Sequence, residues 1–383
     1  MKTAVVIAFE RLPLRRLGCY GCLPSPTPHI DRFAAESVVF DRYFAENADP
    51  EAENHAWWTG RCQFPIPHAD QRRQPEALFE QLAAAGVEVV GIGEPASTST
   101  TIPHSRTVSW NAEPTSSGSR KVFQKATDCF SDSRLQCDKD KLLWVLSSEL
   151  GVAADAREAA AEKRIRAIDD SVGRFFQSLK DSQRSSCSEL LLIVTAAAGM
   201  LDGTTFPESL PQEFRRLAEC NVHTPLIVQS SGRRSPGWLR RDASFLGRGG
   251  QRQSSLVQTV DLAPTLLEWF GVSSEGVPCD GQSLLPLLSE DVAAGGRDTV
   301  CFGDGLRCCG IRTRDFCLMS PQVEVTSAAG GNLGDSTVVP ANVRLFVKPD
   351  DPWEVHNVAE QEPETVGRLL QRLRGFVAQR TSR

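Results

Sequence analysis

The stretch Leu190-Leu191-Leu192-Ile193-Val194-Thr195-Ala196-Ala197-Ala198 carries more information about the fold than any other part of the chain. The five apolar residues from Leu190 to Val194 are typical of a strand that is buried on both faces. The segment just before it, Lys163 to Leu179, has apolar residues at three- and four-residue steps, which predicts an amphipathic helix. A helix that leads into a fully buried strand predicts an α/β protein with a mainly parallel sheet.

The same alternation of strands and helices extends over the first two thirds of the chain. Further strands are predicted at Val5 to Ala8, Val38 to Phe40, Val87 to Ile92 and Pro225 to Val228. Helices are predicted from Pro28, from Pro75 and from Val257 to Phe270. Thr27 is expected to cap the first of these helices with its side chain. We therefore expect a central sheet that is covered by helices on both faces.

Two segments interrupt this alternation of strands and helices. Ser97 to Asp140 is rich in Ser and Thr and lacks a sustained hydrophobic period, whereas Ser230 to Ser255 mixes Gly, Ser and Arg and is interpreted as a long exposed loop. The arginines of the second segment could bind an anion, but a solvated loop is the favoured interpretation.

The pattern changes after Leu288. Short apolar pieces at Thr299 to Phe302, Ile311 to Met319 and Val343 to Val347 precede an amphipathic segment from Pro363 to Gln379. They predict a small antiparallel sheet with one helix packed on it. The predicted division is an α/β domain of residues 1–290 and a C-terminal α+β subdomain of residues 291–383.

Composition excludes several classes of protein. The 383 residues are 40% hydrophobic and 23% charged, enough to bury a full core, and the net charge of -6 argues against a nucleic-acid partner. No apolar run approaches the roughly 20 residues of a membrane span, so no membrane partner is expected. The short apolar N-terminal run has no cleavage site behind it, which predicts a cytoplasmic protein. The pair Cys19 and Cys22 lacks the further ligands of a zinc site and is interpreted as ordinary thiols.

A set of short motifs occurs in a fixed order along the chain. They are Leu17 to Gly21, Pro26 to Ala34, Phe40 to Arg42, Thr59 to Arg61, Pro225 to Val228, Val260 to Leu267, Gly281 to Leu288 and Ile311 to Thr313. Together they resemble the sulfatase branch of the alkaline phosphatase superfamily. The resemblance implies an α/β sandwich around a mainly parallel sheet, with a small C-terminal sheet. It also implies sulfate-ester hydrolysis with a divalent metal, usually calcium, and a formylglycine nucleophile made from Cys or Ser.

The positions that would carry this chemistry differ in the present chain. At the end of the first strand, where the resemblance implies metal-binding aspartates, stand Glu10 and Arg11, and an arginine repels a divalent cation. The nucleophile is expected nine residues before the Thr-Gly-Arg element. That position is Pro50, and Asn54 takes the place of the arginine that normally follows. Proline has no nucleophilic side chain.

The remaining site positions are also replaced. Glu94 stands where a sulfate-binding lysine is expected, and Ala197 and Ala198 replace a metal-binding Asp-His or Asp-Asn pair. The segment Ser147 to Glu149 replaces an expected histidine. Asp49 and His55 could act only if their loop were shifted in register, and an Asp before a Pro is commonly a turn former.

Together these replacements predict a pseudoenzyme without catalytic residues, metal ligands or a cofactor. Its vestigial pocket would be lined by Glu10, Arg11, Pro50, Asn54, His55, Glu94, Ala197 and Ala198. Such a protein could act through an as yet unknown protein partner. The alternative is an active sulfuric- or phosphoric-ester hydrolase in which Glu10 with Asp49 or Glu94 rebuilds a metal site, and only then is calcium expected.

A third possibility is a structural role without any ligand. The pair Trp57-Trp58 would then fill the former pocket as part of the core. Because adjacent residues on a helix cannot share one face, we expect one ring to pack inward and the other to point elsewhere.

Overall fold

The structure of the protein is a computed structural model. It describes residues 1–47, 49–65, 77–93, 109–112, 118–131, 139–148, 158–183, 189–199, 210–231, 250–273, 279–288, 296–304, 307–321 and 339–381. Among these residues, no helix combines the length and the apolar character that a bilayer span requires. The predicted cytoplasmic location stays a prediction.

A twisted central sheet of eight strands forms the middle of the molecule. The strands of the larger part of the chain are β1 (Lys2–Arg11), β2 (Val38–Phe40), β3 (Tyr43–Phe44), β4 (Glu88–Gly93), β5 (Ser109–Ala112), β6 (Lys141–Ser147), β7 (Glu189–Ala198), β8 (Leu226–Ser231), β9 (Gln251–Gln253) and β10 (Val257–Gln258). The sheet order is β5-β4-β6-β1-β7-β8-β2-β9. The first five of these are parallel, β8 runs antiparallel to β7, and β2 runs antiparallel to β8. A mainly parallel sheet is thus confirmed.

Helices cover both faces of this sheet, as predicted. They are α1 (Pro28–Ala35), α2 (Pro50–Thr59), α3 (Ala77–Ala84), α4 (Gly118–Ser131), α5 (Glu158–Gln183), α6 (Glu219–Val222) and α7 (Leu262–Phe270). Successive side chains of a strand point to opposite faces. Accordingly, Val5 and Ile7 of β1 pack in one core with α1, α4 and α5, whereas Ala4 and Val6 pack in the other with α2, α3 and α7.

The C-terminal part forms the small antiparallel sheet and helix that the sequence predicts. Its elements are β11 (Val300–Gly303), β12 (Cys308–Arg312), β13 (Phe316–Pro321), β14 (Arg344–Val347) and α8 (Pro363–Thr381). One face packs Ile311 and Leu318 against Leu373 of α8. The other face packs Met319 against Phe44 of the larger part. The division near residue 290 stays a prediction, because this core joins the two parts.

Two predicted segments have a different structure. The helix predicted from Val257 begins only at Leu262, after β10 and a 3-10 turn at Thr259–Asp261. The carboxylate of Asp261 holds this turn, because it accepts hydrogen bonds from Gln258 N at 2.8 Å and Gln282 N at 2.7 Å. The segment Ser97 to Asp140, which lacks a sustained period in the sequence, contains β5 and α4. Although most residues of α4 are polar, the helix buries Val122, Phe123 and Ala126 in the apolar core.

The loop predicted from Ser230 to Ser255 is described only at its ends. Residues 232–249, with most of its arginines, lie outside the described residues. Near its end, β9 adds a strand to the edge of the central sheet by pairing with β2.

The N-terminus of α1 is capped in a way that the sequence does not predict. The side chain of Thr27 does not cap the backbone of the helix; its hydroxyl instead accepts from Gly18 N at 3.3 Å and donates to Asp31 Oδ1 at 3.2 Å. The cap is Asp169 of α5, whose carboxylate accepts from His29 N at 2.9 Å and Ile30 N at 2.8 Å. Asp169, which is 140 positions after His29 in the chain, thus takes the role expected of Thr27.

Candidate functional site

The candidate site lies where the parallel strands β1 and β7 end side by side. Arg11 is in register with Ala198, and the next residue, Leu12, donates from its N to Ala198 O at 3.0 Å. The guanidinium of Arg11 reaches across the end of β7, because its Nη1 donates to Gly199 O at 3.2 Å. Ala197 and Ala198 are fully buried and present only methyl groups.

Charged groups at the end of β1 lie close to the beginning of α2. Burial lowers the pKa of Arg11, and a neighbouring positive charge on Arg216 lowers it further, whereas the negative charges of Glu10 and Asp49 oppose this shift. Glu10 is 7% exposed. The two carboxylates that could attract a divalent cation therefore already act on a resident cation, Arg11.

The first turn of α2 uses Asp49 as a structural cap. The carboxylate of Asp49 accepts from Glu51 N at 3.1 Å, while its own N donates to Asn47 Oδ1 at 3.0 Å. Pro50 is the first residue of the helix, a position that suits proline because it needs no N–H donor there. Asp49 thus has the local structural role typical of an Asp before a Pro.

Asn54 and His55 follow one turn later on α2. Asn54 is 1% exposed, and neither polar atom of its amide has a hydrogen-bond partner in the structure. An unsatisfied buried amide lowers the stability of the folded state by roughly 1–3 kcal/mol. An amide is also uncharged, so Asn54 cannot replace the arginine that would bind an anion at this position. His55 is half-buried, and its ring lies 6.4 Å from that of Trp58.

Both tryptophans of α2 lie in the core, so the prediction that one points elsewhere is wrong. The exposed fractions of Trp57 and Trp58 are 0% and 2%. Their rings lie 5.9 Å and 6.5 Å from Trp144 of β6, and Trp57 Nε1 donates to Tyr43 OH at 3.0 Å. Because α2 is covered on several sides by the sheet, α3 and α7, two adjacent residues can both be buried. Core packing of the pair is confirmed.

The remaining predicted site positions follow or form the ends of β4 and β6. Glu94 lies outside the described residues, immediately after the end of β4 at Gly93. Ser147, at the end of β6, is buried and its hydroxyl lies 2.7 Å from that of Ser119 in α4. Ser148 is also buried. At these positions the structure brings together small hydroxyl groups.

Sequence reasoning missed two buried carboxyl groups, one just before α2 and one within it. Glu46 and Glu53 are 1% and 0% exposed. Glu53 Oε1 accepts from Asn47 N at 2.5 Å, and Glu46 Oε2 accepts from Gln63 N at 2.8 Å. Burial raises the pKa of Glu46 to about 7, and burial together with the charge of Glu46 raises the pKa of Glu53 well above its ordinary value. No local sequence pattern distinguishes these residues from surface glutamates.

Two ion pairs lie beside these carboxyl groups. Arg297 pairs with Asp261, and Arg380 of α8 pairs with Asp280. Asp280 Oδ2 also accepts from Cys62 N at 2.9 Å. The acidic groups are thus held by arginines and backbone amides. In the part of the chain that the structure describes, no group of three or more His, Cys, Asp and Glu side chains is arranged to hold a metal ion.

Comparison with solved structures relates this architecture to known proteins. BT4656, solved with its substrate D-glucosamine-2-N,6-O-disulfate, aligns over 100% of this chain and 98% of its own, with a TM-score of 0.69 and 16% identity. BT1596, a 2-O GAG sulfatase, aligns over 99% and 92%, with a TM-score of 0.71 and 14% identity. The chain has a sulfatase fold. Ps i-CgsB aligns equally well, over 98% and 92%, with a TM-score of 0.70 and 14% identity.

Sequence comparison agrees with the sulfatase fold over a shorter range. The multifunctional alkaline phosphatase superfamily protein PehA of Trinickia caryophylli is 29% identical over 126 residues. This match covers 33% of the chain and 21% of PehA, so the chain spans about a fifth of this curated relative. No family model matches the sequence. The resemblance that the sequence motifs predict is thus confirmed for the fold.

Proposed function

We propose that this chain is a sulfatase-fold pseudoenzyme. The observation that carries the proposal is the beginning of α2, where the family resemblance expects the nucleophile. Pro50 occupies that position, and the neighbouring Asp49 is engaged as the helix cap. Neither residue offers a free nucleophile to a sulfate ester.

The electrostatics at the ends of the strands support the same proposal. Hydrolysis of a sulfate ester needs oxygen ligands for a hard metal ion and cations that stabilise the leaving anion. Ala197 and Ala198 supply neither, and the charges of Glu10 and Asp49 already act on the cation Arg11. A metal ion at this place would be repelled by the half-buried guanidinium of Arg11.

The retained fold is consistent with a binding or assembly role. The core around α2 is densely filled by Trp57, Trp58 and Trp144, so this helix contributes to stability without any ligand. A protein that keeps the framework and lacks the reacting groups can still present surfaces to a protein partner. We therefore place its function in interaction with another protein.

A combined measurement of metal content and turnover tests this proposal. Purified protein is assayed with an aryl sulfate and an aryl phosphate in added calcium or manganese, and its metal content is measured by mass spectrometry. We expect neither stoichiometric metal nor turnover. The alternative, a hydrolase in which Glu10 with Asp49 or Glu94 holds a metal, requires both.

Two variants assign any observed activity to this site. Glu10→Ala would abolish turnover by a rebuilt metal site. Glu88→Ala, at the opposite end of the sheet and paired with Lys141 at 3.5 Å, is the matched control and would leave such turnover unchanged. Turnover that is lost only in Glu10→Ala would overturn the pseudoenzyme proposal.

A further inference from the structure

A second concave site lies near the opposite end of the central strand β7. A cavity of about 350 Å³ opens between α1, α5 and the first residues of β7, a size within the range of small-molecule sites. Leu190 and Leu192 of β7 form part of its floor, next to Gln229 of β8. At about 3.3 Å per residue, Leu190 lies roughly 26 Å along the strand from Ala198. The cavity is therefore separate from the vestigial site.

The floor of this cavity is formed by apolar side chains that pack closely against one another. Leu190 and Leu192 are 2% and 3% exposed, and the rings of Phe33 and Phe176 pack with their centroids 4.7 Å apart. Leu179 of α5 lies in the same core and also lines the cavity. Binding of an aliphatic or aromatic group of a ligand to such a floor is favourable, because it removes apolar surface from water.

One wall of the cavity depends on a close approach between α1 and α5. A Cβ atom on Gly173 would lie 2.4 Å from Cγ of His29, so only glycine lets the imidazole pack against the helix backbone at this point. His29 Nε2 also lies 3.8 Å from a carboxylate oxygen of Asp170. The ring is thus held at the side of the cavity, where it limits the width of a ligand.

The rim carries an excess of positive charge. Lys180 is paired with Glu36 at 3.2 Å, and His29 lies beside Asp170. Arg32 and Arg174 are exposed, and within the described part of the chain neither guanidinium forms an ion pair. Arg174 donates to Ser171 Oγ at 3.1 Å. Two guanidinium groups without an ion pair among the described residues therefore stand above an apolar floor.

We propose that this cavity binds a single-chain anionic amphiphile, a carboxylate with an aliphatic tail of medium length. The tail would contact Phe33, Phe176 and the leucines of the floor, and the head would lie between Arg32 and Arg174. Guanidinium groups match the planar geometry of a carboxylate and can donate two parallel hydrogen bonds. The site requires no catalytic chemistry and stands independently of the proposed function.

Calorimetric titration with three probes tests the two halves of the site. Decanoate, below its micellar concentration, is expected to bind with a stoichiometry of one. Decanol keeps the tail and lacks the charge, so its affinity is expected to be roughly tenfold lower, as for the loss of a hydrogen bond to a charged group. Acetate keeps the charge and lacks the tail, and we expect no measurable binding. Decanol that binds as tightly as decanoate would contradict the proposal.

Matched variants locate the binding. The double variant Arg32→Gln/Arg174→Gln is expected to lower the affinity for decanoate roughly tenfold or more. Arg166→Gln, on the same helix but paired with Glu162 at 2.8 Å outside the cavity, is the control and should bind as the wild type does. All three positions are exposed, so the variants are expected to fold. Absence of saturable binding to the wild type, or equal affinity in the double variant, would overturn the proposal.

Discussion

At the scale of single residues, the buried carboxyl group of Glu46 gives the protein a pH-dependent stability. Its pKa is raised from 4.5 to about 7 because burial disfavours the charged form. A carboxyl group whose pKa is raised in the folded state stabilises that state fully below its unfolded pKa. This contribution is lost as the pH rises through 7.

The variant Glu46→Gln should therefore become more stable than the wild type as the pH increases. Near pH 5 the wild-type side chain is uncharged in the folded protein, as the amide is. By pH 8 the wild type must bury a charge, so we expect the difference in unfolding free energy to shift by about 2–3 kcal/mol in favour of the variant.

Chemical denaturation at pH 5, 6, 7 and 8 measures this difference. Glu88→Gln replaces a carboxylate that is partly exposed at the start of β4, and it serves as the control with the wild-type pH dependence. A difference between Glu46→Gln and the wild type that stays constant over the whole range would contradict the assignment.

At the scale of elements, α1 depends on α5 for its N-terminal cap. Pro28 is preorganised for the first turn, but the two following N–H groups of His29 and Ile30 need an acceptor. Asp169 supplies it from the neighbouring helix. The position of α1 on the sheet is thus set by a tertiary hydrogen bond as well as by its apolar face.

Asp169→Ala should destabilise the protein by about 1–2 kcal/mol, the usual effect of removing a helix cap. Asp170→Ala is the matched control, because this carboxylate is 62% exposed and lies 3.8 Å from His29 Nε2 at the surface. We expect it to change the stability by less than about 1 kcal/mol. Thermal and denaturant unfolding of both variants provide the measurement, and equal losses would argue against a capping role for Asp169.

At the scale of the whole molecule, a buried charge cluster links α6 to the C-terminal part. Lys348 follows β14, is fully buried at its side chain, and lies 2.5 Å from Glu219 and 3.4 Å from Glu354. The backbone N of Glu219 also donates to Glu354 Oε2 at 3.1 Å. The negative charges of Glu354 and Glu219 raise the pKa of Lys348, although burial alone would lower it.

Lys348→Met should destabilise the protein by about 3–5 kcal/mol, because it leaves two carboxylates buried without their cation. Denaturant unfolding measures this loss, and Arg166→Met, which breaks only an exposed pair on α5, is expected to stay within about 0.5 kcal/mol of the wild type. A small effect of Lys348→Met would mean that the small sheet is held to the larger part by its apolar core alone.

The candidate site follows from the sequence only in part. Ala198 lies at the end of β7, as the apolar run before it predicts, whereas the start of α2 at Pro50 does not appear among the predicted helices. The two buried tryptophans, the cap from Asp169 and the carboxyl pair Glu46 and Glu53 do not follow from local patterns. Each depends on neighbours that are distant in the chain.

The sequence by itself determined the class of fold and most of the strands and helices of the central sheet. These properties reside in hydrophobic periodicity and in the identity of residues at fixed spacing. Only the tertiary structure decided that the charges of Glu10 and Asp49 both act on Arg11, and that a charged cavity opens between α1 and α5. Burial and electrostatic environment are properties of the folded chain, because they depend on which distant segments exclude water from a group.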